Sequence, residues 1–188
     1  YVIGDHICNF LAEPRNQLSV VVENTEALIN QLKEGLLDFA LIEGYFDHEI
    51  FASKHYKTEA YVGLCSSKHE FAGQTIEMDK IVKNPLIIRE EGSGTRMIFE
   101  NVLSSFNLSL KMFPKILCVS NFGLITKLLE SNNGITFAYQ SVREQNPKLD
   151  IFKIRGFDIQ HAFNYIYLDD AESEKAVEYF DGFKGNPL

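Results

Sequence analysis

Cysteine is scarce in this 188-residue chain, which has three, at positions 8, 65 and 118, spaced 57 and 53 apart. An odd count at those spacings fits reduced thiols packed in the core better than a disulfide framework, and no CxxC pair suggests a metal. Basic residues are also a minority, 18 against 26 acidic, giving a net charge of −8 and a pI near 5.1. Such a surface repels phosphate backbones, so these residues are not expected to bind DNA or RNA. No apolar run nears the ~20 residues of a membrane span; the runs at 18–22 and 39–42 are strand-sized. Internal repeats, low-complexity tracts and a charged-then-apolar leader are missing as well. The chain opens on Tyr1 rather than Met, and Ile3-Gly4-Asp5 leads straight into an amphipathic stretch, as though a strand had just ended. It reads as a fragment.

Reactive constellations are equally sparse. The histidines at 6, 48, 55, 69 and 161 lack metal-ligand spacing, and Asp47-His48-Glu49 is best read as a solvated acidic loop. Glu91-Gly92-Ser93-Gly94 lacks one residue of the GxSxG nucleophile elbow. Met97 stands where a dinucleotide fingerprint needs its third glycine, and no P-loop lysine follows. Neither catalysis nor a cofactor is expected.

What is present is an alternation of strand-like and helix-like segments, with 45% hydrophobic residues to fill a core. Ile7, Phe10 and Leu11 mark a short helix behind Asp5, a candidate N-cap. The β-branched run at 18–23 predicts a strand. Asn24 or Thr25 then caps a helix that buries Leu28, Ile29 and Leu32 and ends at Gly35. Strands are predicted at 39–42, 61–65, 86–88, 116–119, 134–139, 151–154 and 163–168, with a polar loop from Gly44 through His55. Helices are predicted from Ile98 to Phe106, from Phe122 to Leu129 and around Ala176 to Phe183. Two β-α-β sets imply two similar lobes, with ligands beyond the carboxyl ends of the strands. Three strand-to-helix turns, at 23–25, 91–96 and 120–122, combine hydroxyls with the N–H groups of a helix start.

In their order and spacing these turns resemble the effector-binding domain of LysR-type transcriptional regulators. The resemblance runs through VVENTEALINQLKEGLLDFALIEG (21–44), PLIIREEGSGTRMIFE (85–100) and SNFGLITKLLESNNGITFAY (120–139) to the closing helix. It implies an α/β fold of the type II periplasmic-binding-protein kind, two Rossmann-like lobes joined by two crossover strands. The implied lobes are 1–64 with 169–188, and 65–168. It also implies that an N-terminal winged helix-turn-helix is absent from these residues, and that the family's first strand with its Ser/Thr loop lies at or before Tyr1.

Each candidate has a plain structural reading beside the functional one. Thr25 and Asn24 are helix caps that also touch effector, or caps alone. Ser93, Gly94, Thr95 and Arg96 form a nest for an anionic group, or a helix start with Arg96 solvated. Ser120 and Asn121 divide the same way, and Glu43 either lines the cleft or bonds a backbone N–H. Phe137 and Tyr139 are expected in the core. The function implied is effector sensing: a small, anionic ligand bridges Thr25 and the 93–95 turn, and binding shifts the geometry of DNA-binding domains not present here. The resemblance further implies a cytoplasmic homodimer, or a tetramer at full length. Its first helix and 18–23 strand would pack against the 96–106 helix of another copy. A transporter's solute-binding protein is the alternative.

Overall fold

A computed structural model describes residues 2–185. In chain order the elements are α1 (Gly4–Leu11), α2 (Thr25–Lys33), β1 (Ala40–Glu43), β2 (Phe51–Ser66), β3 (Thr75–Ile76), α3 (Met78–Ile81), β4 (Leu86–Ile88) and α4 (Gly94–Ser105). Then come β5 (Ile116–Cys118), α5 (Phe122–Glu130), β6 (Thr136–Tyr139), α6 (Ser141–Glu144), β7 (Leu149–Ile154), β8 (Ile159–Leu168) and α7 (Ala171–Asp181). The chain divides into two units: unit 1 runs to Lys57 and resumes at Phe163, and unit 2 is Thr58–Ala162. Only β2 and β8 pass from one to the other.

In unit 1 the strand order is β1-β8-β2, with β1 antiparallel to β8 from Ala40↔Ile166 to Glu43↔Phe163. One core gathers Leu32 of α2 with Ala40, Ile42, Phe51 and Ile166. A second, aromatic core is centred on His6. Its ring stacks on Phe180 at 4.3 Å, its Nε2 donates to the Phe180 carbonyl at 2.7 Å, and its Nδ1 is hydrogen-bonded with the Tyr165 hydroxyl at 3.2 Å. Burial pushes the Tyr165 phenol well above its ordinary pKa, with Asp181 and Tyr56 adding to the shift.

Unit 2 is built on the second half of β2. Tyr61–Leu64 pair antiparallel with β6, and Gly63–Ser66 pair antiparallel with β7. Phe152 of β7 lies so close over Gly63 that a Cβ there would sit 2.3 Å from the ring. Only glycine permits that approach. Beside this layer β4 runs parallel to β5, and Leu86 bridges to Ile135 ahead of β6. Val62, Leu64, Ile87, Ile125 and Leu129 fill the core between sheet and helices.

Several expectations need correction. The 18–23 run belongs to no strand, and Val22 is 88% exposed. β-branched residues favour a strand only when a neighbouring strand accepts them, and among the described residues none pairs there. Helix α1 starts one residue before Asp5, with Ile3 at the N-cap, and it buries His6 and Phe10 while Leu11 is exposed. The polar stretch 51–58 is the first half of β2, a single 16-residue strand. The unit boundaries fall at 57/58 and 162/163 rather than 64/65 and 168/169. Pairing with β6 and β7 places Tyr61–Ser66 in unit 2, and pairing with β1 places Phe163–Ile166 in unit 1. Of the cysteines only Cys65 is buried; Cys8 and Cys118 are exposed.

Candidate functional site

Unit 2 places two of the three distinctive turns side by side. Strands β4 and β5 are parallel neighbours in register from Leu86↔Ile116 to Ile88↔Cys118, and the Val119 N–H donates to the Ile88 carbonyl at 2.8 Å. The helices that follow them, α4 and α5, therefore both open beyond the same edge of the sheet. There each helix presents N–H groups without i−4 acceptors and a partial positive charge.

The start of α4 is a built turn. Gly92 takes a φ of 82°, which turns the chain into the helix at little cost. Ser93 is the N-cap residue, yet it is only 3% exposed and its hydroxyl makes no capping bond. Gly94 and Thr95 are buried behind it, and the Thr95 carbonyl accepts from the Tyr61 hydroxyl at 2.8 Å. Next to it lies a small recess with room for about one water molecule, partly open to solvent, lined by Tyr61, Ile87, Arg89, Thr95, Arg96 and Phe137. Phe137 stacks on Phe99 at 4.0 Å, so it is a core residue that also lines this recess. The α5 turn differs: Asn121 caps by accepting the Leu124 N–H at 2.9 Å, while Ser120 is exposed.

Both arginines at this edge are paired. Arg96 donates from Nε to Glu100 at 2.8 Å, lies 3.5 Å from Glu91, and reaches the Arg89 carbonyl at 3.5 Å. The Glu100 bond raises its already high pKa, so it stays charged. Arg89 was not anticipated from the sequence. Its guanidinium forks onto both Glu90 oxygens at 2.8 and 2.9 Å and lies 5.9 Å over the Phe122 ring, linking the two turns. The available signal was its position immediately after an apolar strand.

Unit 1 supplies the third turn. Asn24 accepts the Ala27 N–H at 2.9 Å, which makes it the cap of α2 and leaves the buried Thr25 hydroxyl outside that bond. Glu43 is the half-buried last residue of β1, opposite Phe163. Asn24, Thr25 and Glu43 thus belong to unit 1, and the other six candidates to unit 2. Among the described residues no group of three His, Cys, Asp or Glu side chains could hold a metal ion, and no helix is long and apolar enough to cross a membrane.

Residues 11–181 match the family model of the LysR substrate binding domain. The chain is 26% identical over 190 residues to the HTH-type transcriptional regulator CysL of Bacillus subtilis (strain 168), a match covering 96% of this chain and 62% of that protein. The chain spans little more than half the length of most of the curated relatives it matches. In structure it is similar to the regulatory domain of Synechocystis PCC6803 CcmR in complex with 2-PG, with a TM-score of 0.80 and 18% identity over 98% of this chain and 91% of that one. The effector binding domain of QuiR in complex with shikimate is similar too, with a TM-score of 0.77 and 17% identity over 97% and 92%. At such identities the likeness fixes the fold, which is type II periplasmic-binding-protein-like.

Proposed function

The chain belongs to the LysR substrate-binding domain family, and on that premise we propose that it senses a small anionic effector for a transcription regulator. The turns at 93–95 and 120–121 are the candidate contacts in unit 2, and Asn24, Thr25 and Glu43 are the candidate contacts in unit 1. Arg96 contributes by bracing the turn against residues 89–91.

One observation carries this reading. Two helices open beside each other past the ends of adjacent parallel strands, with Ser93 buried there and not spent on capping. Such an edge is where open α/β sheets take their ligands, and helix N-termini favour negative charge. The chain itself does no chemistry in this reading. An effector that binds one conformation better than another shifts the population toward it, and a DNA-binding segment outside these residues reads that shift. The relatives matched are HTH-type regulators, so the transporter alternative is not supported.

Self-association, in the cytoplasm, belongs to the same proposal. Leu11 and residues 20–22 are exposed in unit 1, and Met97 is exposed on α4 in unit 2. These are the surfaces expected to pack between copies.

A thermal-shift screen of small organic acids and inorganic anions identifies an effector, and calorimetry on Ser93→Ala and Thr25→Val then tests the contacts. Losing a hydrogen bond to a charged group should weaken binding by about 1.5–3 kcal/mol. Stability should fall by less than about 1 kcal/mol, because Asn24 rather than Thr25 is the cap. Unchanged affinity in both folded variants would leave these turns as plain helix starts.

A further inference from the structure

We propose that Asn133 is a site of spontaneous modification, where the side-chain amide is lost to water and unit 2 is loosened as the protein ages. The chain carries one Asn-Gly pair, Asn133-Gly134, between α5 and β6. Asparagine is a thermally labile residue, and a following glycine puts no side chain in the way of its own amide nitrogen. Asn133 is exposed, and among the described residues the Gly134 N–H donates to no acceptor. The chain's one Asp-Gly pair, Asp181-Gly182, is the contrast. There the Gly182 N–H donates to the Glu178 carbonyl at 3.1 Å, and the Asp181 carboxylate holds Lys54 at 2.9 Å.

The step needs water alone. The Gly134 nitrogen gives up its proton and attacks Cγ of Asn133, so an N–Cγ bond forms. The Cγ–Nδ2 bond breaks, and Nδ2 leaves with that proton as ammonia. Water then opens the cyclic imide. Cleavage of the new N–Cγ bond yields aspartate, and cleavage at the main-chain carbonyl yields an isoaspartyl link whose backbone runs through Cβ.

Both products strike a joint of unit 2. The Asn133 N–H and Nδ2 both donate to the Leu128 carbonyl, at 3.2 and 3.3 Å, and so close the end of α5. Either product replaces the Nδ2 donor with a carboxylate at the negative end of that helix. The isoaspartyl link also adds a backbone carbon just ahead of Gly134 and Ile135. Gly134 has a φ of 142°, and a Cβ there would sit 2.5 Å from the Pro85 carbonyl oxygen, so the chain has no slack at this point. The fully buried Ile135 follows, donating its N–H to Pro85 at 2.9 Å and accepting the Ile87 N–H at 2.8 Å. Those bonds tie β6 to β4.

The test holds the folded 188-residue chain in mildly alkaline buffer and follows its tryptic peptides by mass spectrometry, with fragmentation that separates aspartate from isoaspartate. Peptide 128–143 should gain the mass difference between amide and acid, located at Asn133, with isoaspartate among the products. Asn133→Gln should lose that gain, because its longer side chain closes a less favourable ring. The aged fraction is separated by its added negative charge. In it the Ile87 and Ile135 amides should exchange about fivefold faster, as for one lost hydrogen bond, with Leu32 and Ile42 of unit 1 unchanged. Earlier gain at another asparagine, or gain at Asn133 in urea alone, would overturn the site. Gain at Asn133 without faster exchange in unit 2 would overturn the loosening. Should the Gln variant not fold, the position of the gain in the parent decides the first point.

Discussion

The two units solve opposite electrostatic problems. Unit 1 has 6 basic and 15 acidic residues, a net −9, whereas unit 2 has 12 and 11, a net +1. Unit 1 is held against its own repulsion by two apolar cores, one of them an aromatic cluster around a buried imidazole. Unit 2 is nearly balanced and pairs its charges, at the β4–β5 edge and elsewhere, as in Arg155 with Glu77 and Lys148 with Glu130. The acidic unit therefore presents a surface that phosphate backbones avoid.

The largest expected effect breaks the aromatic core of unit 1. His6→Ala removes a ring stacked at 4.3 Å on Phe180 and leaves the Phe180 carbonyl and Tyr165 hydroxyl without their imidazole partner. Truncating a buried ring and orphaning polar groups should cost about 3–4 kcal/mol in urea unfolding. A loss under about 1 kcal/mol would mean that the imidazole is dispensable to unit 1. In unit 2 the matching stress is Gly63→Ala, whose Cβ would lie 2.3–2.6 Å from the Phe152 ring. That ring is wedged between Phe71 and Phe137, with centroids at 5.3 and 5.6 Å, so overpacking should cost about 1–3 kcal/mol by the same measurement.

A third test separates the units by pH. Burial pushes the Cys65 thiol of unit 2 up from 9.0 to about 12, with Asp150 adding to the shift. A raised acid pKa means that the folded state keeps its proton while the unfolded state releases it. The stability it protects is therefore complete below about pH 9 and is lost as pH rises toward 12. Between pH 8 and about pH 10.5 the chain should lose about 1–2 kcal/mol more than Cys65→Val does. Equal losses would show that the thiol ionises in place.

Much of this comparison was legible in the sequence, because caps and helix faces are local. Asn24, Asn121 and the glycine-rich turn at 92–94 announce helix starts within a few residues. What escaped depends on partners far along the chain. The 51–55 stretch looks like a loop by composition, and becomes a strand only because β8 lies beside β2. The 18–23 run looks like a strand and is not one, for want of a neighbour. Arg89 is marked locally by its place after an apolar strand, but its contact with Phe122, 33 positions away, depends on β4 and β5 lying side by side. His6 is in the core through Tyr165 and Phe180, both of which follow it by more than 150 residues.

The smallest effect sharpens the comparison most directly. If net charge sets the units apart, added salt should act on them unequally. Fifteen acidic residues against six basic ones make unit 1 repel itself, and the Debye length falls from ~30 Å at 0.01 M to well under 10 Å at 0.5 M. Screening should then relieve repulsion in unit 1 by about 0.5–1 kcal/mol and change unit 2 by less than half of that. Amide exchange reads each unit separately through local opening. The Leu32 and Ile42 amides report on the unit 1 core, and Leu64 and Ile87 on unit 2. Sodium chloride should slow exchange at the first pair by about threefold and leave the second nearly unchanged. Matching protection at both pairs would trace to salt acting on apolar burial in general, and the charge contrast would then have no bearing on stability.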